Sequence, residues 1–163
     1  MSKTTTNNIA LGLGASEFTI DGDKDKKIYL YTNDMGIIGR IQETVPKINE
    51  LESKYVKLYL DTSDNTKTED EQIQEFSGGI KSIDADLRDC INYIFDYDVC
   101  SVIMPSGTMV NLKDGEYIFS IIVNSLLELY SDTIIEETEK LVAKMKKRAD
   151  KYVNRDHKKK GTK

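Results

Sequence analysis

Any chemistry in this chain would fall to its carboxylates, because the other reactive side chains keep the wrong company. The only histidine, His157, is followed directly by Lys158, Lys159 and Lys160. A Ser/His/Asp or Cys/His arrangement needs that imidazole in a protected pocket between a nucleophile and an orienting acid, and a lysine-rich terminus offers none. Asp84 with Asp86, and Asp96 with Asp98, could hold magnesium or divide acid and base roles. Neither pair is matched by a second acidic cluster or a phosphate-cradling loop, and Gly107 and Gly115 do not frame a Gly-Lys-Ser or Gly-Lys-Thr. These acids read as solvated helix surface. Asp21, Asp23 and Asp25 alternate as in an EF-hand loop, but Lys26 stands where the loop needs glycine and Thr32 where it needs a bidentate glutamate. Gly12 and Gly14 lack the preceding strand and third glycine of a nucleotide fingerprint. Cys90 and Cys100 belong to no CxxC pair or Cys/His cluster and read as small core hydrophobes in a reducing compartment. The expectation is therefore no catalytic residue, no metal, no cofactor, and a protein that is not an enzyme.

What remains to do work is apolar surface wound at helical pitch. Ile73, Phe76, Ile80, Ile83, Leu87, Cys90, Ile91 and Ile94 recur every three or four residues, which places them on one face of a helix. Two apolar clusters follow, ending at Phe95 and at Met104, with an acidic break at Asp96 and Asp98 between them. Tyr117, Ile118, Phe119, Ile121, Ile122, Val123, Leu126, Leu127, Leu129 and Tyr130 cover nearly every direction around a further helix, which predicts burial on all sides, in the core or in a subunit interface. The residues expected to meet a partner are Phe95, Val99, Val102, Ile103, Met104, Ile118, Ile122 and Leu126.

Charge is divided unevenly. Residues 144–163 hold ten Lys or Arg against two Asp, a net of +8 that leaves −13 for the rest of a chain whose total is −5. An acidic body with a basic end can pair with another copy, touch nucleic acid or stay solvated. The nucleic-acid alternative would use Lys147, Arg148, Lys151, Arg155, Lys158, Lys159 and Lys160, giving salt-dependent, nonspecific affinity. Against it stand the acidic body and the lack of aromatics between the basic residues, Tyr152 excepted.

Positioning these surfaces requires few elements. A polar, then Gly-rich arm at 1–15 precedes two short alternating segments, Phe18-Thr19-Ile20 and Ile28-Tyr29-Leu30-Tyr31, which predict a β-hairpin around a polar loop at 21–27. Asn33 or Asp34 can cap a helix over 35–60, with Ile38, Ile41, Val45, Ile48, Leu51, Tyr55 and Leu58 on one face and Pro46 splitting it in two. Thr68 and Glu71 form a capping box that starts the next helix, 70–96. Gly78 and Gly79 inside it point to a close helix-helix approach, because the apolar register continues past them. Asp114 can cap a helix over 115–130, and a second capping box, Thr133 with Glu136, restarts the chain for a helix over 133–154. A basic, flexible tail occupies 154–163. The fold class expected is mainly α with a short N-terminal hairpin, hence α+β, its long amphipathic helices packed antiparallel in one domain spanning 16–153. The first eight residues show no apolar signal region, and the apolar run 117–127, interrupted by polar residues, is too short to span a bilayer. No membrane association and a cytoplasmic location are expected.

A short hairpin, an amphipathic helix, a polar loop and then a helix ending in Ile91-Asn92-Tyr93-Ile94-Phe95 resembles small tail-assembly or minor virion proteins of tailed phages that infect low-GC Gram-positive bacteria. Many of those proteins carry an Ile-Phe-Gly near mid-chain, followed by a turn and one or two C-terminal helices; here Asp96 stands in place of the glycine and Tyr97-Asp98 in place of the usual small residues. The resemblance implies a non-enzymatic protein of the host cytoplasm or the virion. Its role would be a tail-assembly chaperone or a structural subunit that binds itself, as a homo-oligomer, or another phage morphogenetic protein.

Overall fold

A computed structural model describes residues 12–62 and 66–160, with the side chains at 149 and 151–160 outside the description. Most of the chain is helical, with a hairpin at the N-terminal end, as the periodicity predicts. β1 (Ser16–Ile20) and β2 (Asp23–Leu30) pair antiparallel, with Phe18 opposite Ile28. The connection is tighter than the polar loop expected at 21–27. Asp21 and Gly22 both have positive φ, 52° and 74°, as a two-residue type I′ turn demands, and the register slips just beyond it between Thr19 and Ile20.

The next helix, α1 (Ile37–Asp61), runs without interruption through Pro46, where two pieces were expected. Proline removes one backbone donor but leaves the rest of the ladder intact, and packing along the helix holds the two turns in line. Asp34 prepares its start: the carboxylate accepts from the Gly36 N–H at 2.8 Å and from Arg40 Nη2 at 2.7 Å. Of the face read off the sequence, Ile41, Ile48, Leu51, Tyr55 and Leu58 are in the core or packed against it, and the buried stripe is rotated slightly at the helix start. Ile37, Thr44, Ile48 and Leu51 are buried while Ile38 and Val45 are exposed. Thr44 can replace Val45 inside because its hydroxyl donates to the Arg40 carbonyl at 2.6 Å and so buries no unmet polar group.

Antiparallel to α1 lies α2 (Glu69–Phe95), opened by the expected capping box: Thr68 Oγ1 accepts from the Glu71 N–H, and the Glu71 carboxylate from the Thr68 N–H. The pairing is tied near one end by Arg40 Nε donating to the Ile94 carbonyl at 2.8 Å and by Tyr93 donating to Glu43. Toward the other end the helices close tightly at Gly79, where an added Cβ would sit 2.5 Å from Leu58 Cδ2; at Gly78 it would meet nothing. Ile83, Leu87, Ile91 and Ile94 form the buried stripe, and Ile73, at the far end, is exposed. The helix stops at Asp96, which takes a left-handed φ of 50°, the conformation that glycine would otherwise supply at a C-cap.

A single turn of helix, α3 (Val99–Ile103), follows under the Asp98 cap. The chain then makes a second small hairpin, β3 (Leu112–Lys113) with β4 (Glu116–Tyr117). This corrects the reading of Asp114 as a helix cap: Asp114 and Gly115 have φ of 54° and 82° and form another Asp-Gly turn.

The largest departure comes last. α4 (Ile118–Lys160) is one helix of 43 residues, where a helix over 115–130 and a restart at 133 were expected; of the tail expected at 154–163, the backbone of 154–160 continues this helix and 161–163 lie outside the described residues. The Thr133 hydroxyl does not cap a new start. It donates to the Leu129 carbonyl one turn back at 2.9 Å and lies 3.0 Å from the Thr32 hydroxyl, so the turn that a restart would open is held closed. Nor is the helix buried all round. Phe119, Ile122, Leu126 and Tyr130 are buried along one stripe, Tyr130 against Phe95 with ring centroids 5.8 Å apart. Beyond Ile134 no residue with a described side chain joins the core.

Candidate functional site

The first half of α4, the N-terminal hairpin and the end of α3 do not close completely. Strand alternation turns Phe18 and Ile20 of β1 toward the helix, with Ile28 of β2 beneath. Across from them Ile118, Ile121, Ile122, Ser125, Leu126 and Leu129 follow one another at helical spacing, and Ile103 and Met104 fill one side. The result is an open groove of about 430 Å³ whose few polar lining residues are Thr19, Asp21, Lys113 and Ser125. Ile28, Ile122 and Leu126 are buried and form its floor, while the other apolar residues are half-buried at its walls. Such a trench lacks the converging polar groups that fix the orientation of a small polar substrate, and suits an apolar side chain or a row of them.

Five of the eight residues expected to meet a partner line this groove: Ile103, Met104, Ile118, Ile122 and Leu126. Val102 is half-buried beside the core and outside the groove. Phe95 and Val99 are 3% and 0% exposed, consumed by the chain's own core and closed to any partner, which corrects their assignment. Phe18 and Ile20, expected only as hairpin residues, and Ile121 and Leu129, expected in the core or a subunit interface, also line the groove. The signal was present in the alternating strand, which had to pack on something, and in the i, i+3, i+4 pattern of the helix. What was missing was which faces would meet.

The acids singled out in the sequence do not converge. Asp84 is clamped to Arg88, whose Nε donates to it at 2.8 Å while its two terminal nitrogens donate to the Met104 and Gly107 carbonyls. The other Asp84 oxygen accepts from the Met109 N–H at 2.6 Å. The pair pins the 104–109 loop to α2, and with side chains only about a fifth exposed it is structural, contrary to the solvated surface expected. Asp98 caps α3 by accepting from the Ser101 hydroxyl and N–H, which hold its carboxyl below the usual range. Asp96 is the helix stop described above. Among the described residues no group of three or more His, Cys, Asp or Glu is placed to hold a metal ion. Cys100 is buried with its thiol pushed up to about 12 by desolvation, and the half-buried Cys90 is raised for the same reason, so neither is an activated nucleophile.

A second exposed apolar surface lies farther along α4, where Ile135, Leu141, Val142 and Met145 are each more than half exposed. Lys147 and Arg148 are exposed beside it; Lys151, Arg155, Lys158, Lys159 and Lys160 continue the helix with side chains outside the description. His157 lies in the same stretch. The segment Ile118–Arg148 is long and apolar enough, by length and composition, to cross a membrane, and 22% of its most apolar window is buried in the chain's own core. The run 117–127, too short by itself, is continued in one unbroken helix by Leu129, Tyr130, Ile134 and Ile135. Comparison of the chain with family models, with curated proteins and with solved structures finds no match.

Proposed function

We propose that this chain is a non-enzymatic phage assembly or structural protein, a tail-assembly chaperone or minor virion subunit, that takes an apolar helix of another morphogenetic protein into its groove. The observation that supports binding is the groove itself: Phe18, Ile20, Ile103, Met104, Ile121 and Leu129 face an open trench left by their own fold. An amphipathic helix offering apolar residues at i, i+3, i+4 and i+7 would continue the packing of α4 and the hairpin. The phage setting rests on the resemblance carried by the Ile94-Phe95 helix end and the order of elements around it. The test is co-expression with an apolar tape-measure protein of a tailed phage that infects low-GC Gram-positive bacteria. Wild-type chain is expected to hold that protein in solution, and Ile121→Glu, a change in a groove wall outside the buried core, to lose the effect while keeping its own circular dichroism. Unimpaired activity of the variant overturns the groove; a gene neighbourhood without tail-tube or tape-measure genes overturns the phage setting.

The alternative is a small nucleic-acid-associated protein acting through Lys147, Arg148 and the basic residues beyond them. One feature favours it: the basic segment belongs to a continuous helix that could lie along a phosphate backbone.

A further inference from the structure

The distal part of α4 has an apolar face that, among the described residues, has no core behind it. At 100° per residue, Ile134, Ile135, Thr138, Leu141, Val142 and Met145 fall within about 120° of arc, a single stripe. Only Ile134 is packed against the body. The charges bordering the stripe are ordered. Glu139 and Lys146 lie along one edge, Glu137 and Arg148 along the other, and on each edge the acid precedes the base. Both acid-base pairs are centred on the same point, between Val142 and Ala143. In antiparallel helix pairs, residues of one edge face the same edge of the partner. A two-fold axis at that point therefore sets Glu139 of each copy opposite Lys146 of the other, and Glu137 opposite Arg148, while Leu141, Val142 and Met145 of the two copies meet between them and Ile134 and Ile135 fall outside the apolar overlap. Parallel pairing would bring Glu139 beside Glu137 and Lys146 beside Arg148, like against like. Glu139, Lys146 and Arg148 make no ion pair among the described residues, and Glu137 shares Lys140 with Glu136.

We infer that the stripe is the seat of a second copy of this chain, bound antiparallel through α4 about a two-fold axis near Val142. This surface is separate from the groove, and neither stands or falls with the other. Four turns of helix make a small interface, so the pair forms reversibly and weakens as salt screens the edge charges. The full chain is expected to pass from monomer to dimer with rising concentration in sedimentation equilibrium. Leu141→Asp with Met145→Asp, both at exposed positions, abolishes the dimer and leaves circular dichroism at low concentration unchanged. Glu139→Lys weakens the dimer roughly fivefold or more, and adding Lys146→Glu restores it, because the exchanged charges again face each other. Under mild oxidation Val142→Cys forms a disulfide-linked dimer. Ile135→Cys does not, its partner lying about 22 Å away along an antiparallel axis. Strict monomer at every concentration, equal cross-linking of Ile135→Cys and Val142→Cys, or failure of Lys146→Glu to restore the dimer overturns the inference. So does partition of the wild-type chain onto mixed zwitterionic and anionic phospholipid vesicles that Leu141→Asp abolishes, which would assign the stripe to a membrane.

Discussion

Single side chains fix the corners of this fold, and Asp34 and Arg40 show how. Arg40 reaches from α1 to the carbonyl of Ile94 at the end of α2 and also holds the Asp34 carboxylate, which in turn accepts from the Gly36 N–H. The guanidinium, first, and then the backbone donor keep the Asp34 carboxyl below its ordinary value of 3.8. The unfolded chain, whose carboxyl is not so held, therefore takes up its proton first as pH drops. The stability this group contributes is complete above the ordinary carboxylate range and is lost as pH falls through the lower folded value. A urea midpoint followed against pH is expected to be flat from neutral pH to about 5 and to decline below that. Asp34→Asn should lower the neutral plateau and make the acid decline shallower; an unchanged acid limb would mean that Asp34 has no part in it. The sequence marked Asp34 only as a possible cap. Its tie to a helix end sixty residues away, through Arg40, was not legible, because nothing local in either segment requires the other.

At the scale of elements, helix packing separates two glycines that the sequence presents as equals. Gly78 and Gly79 each carry the same conformational cost inside α2, about 1 kcal/mol relative to alanine. An alanine Cβ at 78 meets open space, while at 79 it runs into the Leu58 methyls of α1. Gly78→Ala is expected to raise stability by about 0.5–1 kcal/mol. Gly79→Ala is expected to forfeit that gain to displacement of Leu58, and to recover it in a Leu58→Ala background. Equal effects of the two substitutions in thermal or urea unfolding would rule out a close approach at 79. Turns carry the complementary lesson. The Asp-Gly dipeptides at 21–22 and 114–115 are strong hairpin signals on their own, and both are used as such. At 114 the competing reading, a cap for the apolar helix behind it, was equally local, and the choice fell to the pairing of Leu112 with Tyr117 across the turn.

For the whole molecule, the division of α4 matters most. Its first turns, with Phe119, Ile122, Leu126 and Tyr130 buried, belong to the body, and its distal turns extend past Ile134, the last residue with a described side chain that joins the core. A solvated helix without tertiary packing is only marginally stable. Amide exchange in dilute protein should therefore be slow in α2 and around Leu126 and fast beyond about residue 140, with protection there rising as concentration rises. Uniform protection along all of α4 in dilute monomer would contradict this picture. By itself the sequence determined the class of fold, the N-terminal hairpin, the capped start of α2 and the apolar stripes, because each follows from short-range periodicity and backbone preference. Only the tertiary structure decided that Thr133 continues a helix, that Phe95 and Val99 are closed inside while Phe18, Ile20 and Ile121 are left open, and that Asp84 holds a loop. Those outcomes depend on which faces meet across long stretches of chain, and a linear pattern records the faces without recording their partners.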